Sequence, residues 1–131
     1  MLNVDNCEQG VWPMALKSMV MEFGSGVDIR GGDYTKAAVR ALEAALRHNS
    51  ITFAQAFGVD PQSMVIKVVI GVGQPDAVDK DAVAAVLPYG QAEVSVVAGG
   101  MEIARDNAAG ATIMANAALT VFLDLPEGAE A

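Results

Sequence analysis

This sequence predicts an α+β domain: a four-stranded mixed sheet with two helices packed on one face, in the order β-α-β-α-β-β. Three observations lead there. Met64–Val72 (MVIKVVIGV) is a nearly continuous β-branched run, the pattern of a strand covered on both faces. Ahead of it, Asp33 and Thr35 offer caps to a helix whose apolar residues fall at Val39, Leu42 and Leu46. The remaining connections are short, which places successive elements side by side.

Taken in order, Met1–Pro13 has no sustained period and reads as an arm, so residues 1–14 are assigned to an N-terminal extension. The domain proper is expected over 15–125, with a tail at 126–131. Ala15–Phe23 (ALKSMVMEF) is the first strand, and it runs directly into a glycine-rich segment ending at Asp33. The first helix follows, with Asn49 as its stop and Lys36, Arg40, Glu43 and Arg47 on its polar face. After the Met64–Val72 strand, Asp79 caps a short helix through Leu87, ended by Pro88-Tyr89-Gly90. Glu93–Ala98 is the third strand, stopping at Gly99-Gly100, and Thr112–Leu123 the fourth.

Composition bounds the function classes. The 131 residues carry a formal charge of -8, which repels nucleic-acid phosphates and anionic lipid, so neither is expected as a partner. Hydrophobic residues make up 53% and aromatics only 5%, a core of small side chains that leaves apolar surface and favours self-association. The single cysteine, Cys7, has no internal disulfide partner, and no basic segment followed by an apolar one opens the chain. The longest uncharged run, Asn107–Leu123, is too short and polar to span a bilayer. A soluble cytoplasmic protein is expected. With one histidine, His48, far in sequence from Cys7, no metal or other cofactor is expected either.

Chemistry is sought first in the segment Gly24-Ser25-Gly26-Val27-Asp28-Ile29-Arg30-Gly31-Gly32. A glycine cluster between a strand and a helix N-terminus places backbone N–H groups and the helix dipole where a polarised oxygen can bind. It matches neither phosphate-loop pattern. Asp28 and Arg30 are read either as a ligand clamp or as a pair that pins the segment to itself or to a neighbouring subunit. Lys67, inside an apolar strand, is either a desolvated base or hydrogen-bond donor, or a lysine that snorkels to the sheet edge or pairs with a carboxylate. His48 is read as a charge at the helix C-terminus, and nothing in the spacing compels it to act with Ser25.

Several of these residues carry a resemblance. Gly24-x-Gly26-x-Asp28-x-Arg30-Gly31, Asp33-x-Thr35, His48-Asn49, Ile70-Gly71-Val72, Pro75-x-x-Val78-Asp79, Pro88-Tyr89-Gly90 and Gly99-Gly100 stand in the order seen in a small family of conserved proteins of unassigned function. That family's hallmark is G-x-G-x-D-x-H-G, and the match spans Met21 to Gly100. Arg30 stands where the pattern has histidine, which removes a proton shuttle from that position. More distantly, the element order is similar to one repeat of the ring-opening amidohydrolases, cyanuric acid hydrolase and barbiturase. Those enzymes set three repeats around a pseudo-threefold axis, each offering a Ser and a Lys to a flat nitrogen heterocycle. The resemblance implies a homotrimer, or a multiple of one, with Lys67 as the counterpart lysine. It sets Ala98-Gly99-Gly100 where that family has Ser-Gly-Gly, so the nucleophile is missing.

Two functional readings follow. In one, the chain is an oligomeric protein that binds, and acts on, a small polar cyclic amide at a subunit interface. Gly24, Ser25, Gly26, Asp28, Arg30, Gly31, Gly99 and Gly100 then hold the ligand, and Lys67 is the catalytic residue. In the other it is a non-catalytic binding or assembly protein, its glycine segment making subunit contacts.

Overall fold

The structure is a computed structural model that describes residues 16–47, 63–87, 90–106 and 110–124. The arm, His48 and Asn49, Pro88-Tyr89 and the tail lie outside the described residues. The α+β expectation holds. The elements are β1 (Leu16–Asp28), α1 (Tyr34–Arg47), β2 (Val65–Val72), a 3-10 turn (Pro75–Ala77), α2 (Lys80–Ala84), β3 (Gln91–Ala98), β4 (Met101–Ala104) and β5 (Ala111–Asp124).

Strand order is β1-β5-β2-β3, with β2 and β3 parallel and β5 antiparallel to both β1 and β2. β5 is long enough to serve two partners along one edge. β2 pairs with it over Asn116–Phe122, and β4 takes up the same edge over Ala111–Met114. β4 makes five strands where the sequence predicted four. Its four residues are all exposed, so no buried periodicity marks them. The chain reaches β4 from β3 by crossing the end of β2 at Gly99-Gly100, where Gly99 N–H donates to Val72 O at 2.9 Å. Gly100 has φ 67, a conformation that glycine adopts without strain.

Both helices lie on one face. The core beneath them joins Ala37, Ala38, Ala41, Leu42 and Ala45 of α1 to Ile66, Val68, Ile70 and Val72 of β2. The alternate residues of β5, from Ile113 to Leu123, complete it. Alanine on the helix and glycine on the strand bring α1 down onto β1: a Cβ on Gly24 would overlap Ala41 O and Ala45 N, and one on Gly26 would overlap Ala41 N. These glycines therefore lie within β1, which continues through Asp28 where the sequence suggested a loop. Close strand–helix packing is the reason for their lack of side chains.

Candidate functional site

The second face of the sheet carries no described helix. By the two-residue period it presents Met21, Phe23 and Ser25 of β1, with Thr120, Ala118 and Asn116 opposite them on β5. The rows continue into Lys67, Val69 and Gly71 of β2, then Glu93, Ser95 and Val97 of β3. Phe23 is 65% exposed and Ile103 60%, fractions that show this apolar surface to be open in the single chain. At its centre lies a depression of about 720 Å³. Phe23, Val69 and Val97 border it, Gly71 and Ala118 leave its floor low, and Ser25 and Asn116 supply its side-chain polar atoms.

The residues picked out from sequence divide between two places. Gly24 and Ser25 line the depression, and Gly99-Gly100 passes the adjacent end of β2, with Gly99 against Gly71. Lys67 shares the open face but lies four residues from Gly71 along β2, roughly 13 Å, and does not line the depression. Its register neighbours are Thr120 and Glu93. Glu93 Oε2 is buried with no hydrogen-bond partner among the described residues.

Although Gly24 lines the depression, its missing side chain, like that of Gly26, and the Asp28 carboxyl are on the side of the helix layer. Asp28 is 4% exposed, and its Oδ2 accepts from Asp33 N–H at 2.8 Å, closing the turn that carries Arg30 and Gly31. A Cβ on Gly31 would come within 2.8 Å of that same oxygen. The charge beside Asp28 is Arg40, whose Nη1 lies 3.9 Å from Oδ1 and donates to Val27 O at 2.6 Å. Arg30 is exposed in the turn. Asp28 thus braces its own segment through Asp33 and Arg40, with Arg30 outside these contacts.

Asp33 caps α1 as expected, its Oδ1 accepting from Lys36 N–H at 3.1 Å. Thr35 Oγ1 accepts from Asp79 N–H at 2.9 Å, and Asp79 Oδ1 accepts from Asp81 and Ala82, so the caps of α1 and α2 are tied together. Nearby, the Tyr34 phenol donates to Glu102, and that bond raises the phenol pKa above its ordinary value, with partial desolvation and the carboxylate charge adding to it. Among the described residues no group of three His, Cys, Asp or Glu gathers to hold a metal ion. No helix among them is long and apolar enough to cross a membrane.

Sequence reasoning passed over Asn116. The signal was present: Thr112, Asn116 and Thr120 recur every four residues in a strand whose alternate positions are apolar, which puts all three on one face. The sequence places Arg40 on the polar face of α1, and only the fold brings it to Val27 and Asp28.

A mixed sheet with one face under helices and the other open, its centre hollowed around Ser25 and Asn116, defines an α+β protein with an open sheet face. The chain belongs to the Lin0512 family of conserved hypothetical proteins, which it matches over residues 18–121. It is also similar to an FtsZ-like protein of unknown function from Nostoc punctiforme, known from a crystal structure. Identity to that protein is 34%, the match covers 84% of this chain and 98% of that one, and the TM-score is 0.76. No curated protein matches the chain.

Proposed function

We propose that this protein assembles with copies of itself and binds a small planar cyclic amide in the open-face depression, beside a neighbouring subunit. The observation that carries the reading is the make-up of the depression. A flat ring needs a low floor, and Gly71 and Ala118 give one, while Phe23, Val69 and Val97 supply apolar contact at its edges. An amide edge presents one N–H donor and one carbonyl acceptor. The Asn116 carboxamide has both, and the Ser25 hydroxyl donates or accepts as required.

The distant likeness to ring-opening amidohydrolases supports the ligand class, and three copies would complete the threefold arrangement of that likeness. The exposed apolar surface around the depression supports assembly, because burying it removes large side chains such as Phe23 and Met101 from water. If the bound ring is opened, Lys67 is the residue on this face that the amidohydrolase resemblance assigns to the chemistry, reached by movement of the ligand or of the lysine stem.

A specific observation favours the non-catalytic form of this reading. Gly26 and Asp28 serve the fold, and Ala98 stands where the amidohydrolase resemblance has its nucleophilic serine. The direct test is binding and turnover with cyanuric acid and barbiturate on pure protein, beside Lys67→Ala and Asn116→Leu. Binding that Asn116→Leu abolishes supports the site. Turnover that Lys67→Ala abolishes makes it an enzyme, turnover that survives Lys67→Ala removes the lysine from the chemistry, and no binding of either ring refutes the ligand class.

A further inference from the structure

We infer that the outer edge of β3 is a pairing seam, where a strand of a second copy of this chain adds to the sheet. The direction of the β3 backbone groups follows from two hydrogen bonds at its ends: Gln91 N–H donates to Met64 O at 2.8 Å and Gly99 N–H to Val72 O at 2.9 Å. Between them the register to β2 is unbroken, so the odd-numbered residues turn their N–H and C=O toward β2. Ala92, Val94, Val96 and Ala98 turn theirs outward, and among the described residues no strand receives them.

Among the described residues that edge has none of the usual guards. Gln91–Ala98 contains no proline, no lysine and no bulge, and its one charge, Glu93, stands on the open face of the sheet. The opposite edge is different: β1 breaks register between Ser18 and Val20 and carries Gly24 and Gly26. Glu93 adds a second mark of incompleteness, because its Oε2 is buried without a described partner on this same strand.

The occupant is a second copy for two reasons. An unguarded edge has to be covered in the resting protein, and a copy of the chain is always present in equal amount. The seam is also continuous with the depression, since Val97 of β3 forms part of its rim, so an added strand brings a neighbouring copy to the border of the site. This inference rests on the proposed self-assembly but not on the identity of the ligand.

The test uses the full chain. Ala92→Pro and Ala98→Pro each remove one outward N–H and leave the β2 ladder intact, whereas Ser95→Pro removes an inward one. Mass in solution across a dilution series should show an oligomer for the natural chain and association weakened about tenfold, toward monomer, for Ala92→Pro or Ala98→Pro, with circular dichroism unchanged. Ser95→Pro should instead destabilise the fold. Hydrogen exchange on the natural chain gives an independent reading: the Val94 and Val96 amides exchange slowly if the seam is paired. Fast exchange at both amides overturns the seam, as does a folded Ala92→Pro protein of unchanged mass. A natural chain that is monomeric yet binds cyanuric acid overturns the seam while leaving the ligand site standing.

Discussion

Gly26 of β1 and Ala41 of α1 meet backbone to backbone: a Cβ on Gly26 would overlap the Ala41 nitrogen and stand 2.5 Å from Ala37 O. Nothing flexible lines that contact, so a methyl group can be accommodated only by lifting the helix from the strand. Gly26→Ala should therefore cost about 3 kcal/mol or more. Ser25→Ala, on the exposed side of the same strand, should change stability by less than about 0.5 kcal/mol. Denaturant unfolding of the two variants checks the pair. Equal stabilities would contradict the packing role given to Gly26.

Asp28 acts on the turn that follows it. Asp28→Ala leaves Asp33 N–H without its acceptor and should destabilise the protein by about 1–3 kcal/mol. Asp28→Asn keeps an oxygen there and should recover a large part of the loss. If the two variants are equally destabilised, the Arg40 charge outweighs the hydrogen bond.

Tyr34 gives the fold an alkaline dependence. Its phenol is held protonated by the bond to Glu102, so its pKa in the fold lies above the free value of 10.0. The stability from this contact is complete below pH 10.0 and is lost as pH rises through the raised value. Tyr34→Phe should therefore be less stable than the natural protein at pH 8 and converge with it in strong alkali. A gap between their urea midpoints that does not narrow with alkali would show the bond to be without effect.

How much of this was legible in the residues can be argued element by element. The β-branched run of β2 and the Asp33 cap of α1 specify themselves locally, and both stand where the sequence placed them. β1 was cut short because glycine weakens a strand in isolation. What keeps Gly24 and Gly26 extended is α1 lying against them, a contact that sequence order does not reveal. For the same reason Gly24, Ser25, Gly26 and Asp28, read as one loop, divide between two faces of a sheet. The depression needed four strands in register before Asn116, Gly71 and Val97 became neighbours, even though the alternation in β5 already placed Asn116 on one face with Thr112 and Thr120.

A ligand site on the open sheet face also predicts what should not matter. Arg30→Ala removes an exposed turn residue outside the depression and should leave both stability and cyanuric acid binding within about twofold of the natural protein. Loss of binding in that variant would move the site to the Asp28–Asp33 turn.

The most direct measurement is a resonance titration of isotope-labelled protein with cyanuric acid, following backbone amides and the asparagine side chains. Saturable shifts at Ser25, Gly71, Val97 and the Asn116 carboxamide, absent in a folded Asn116→Leu protein, are the result expected of the open-face site. Shifts confined to residues 28–33, or none at any ligand concentration, would contradict it.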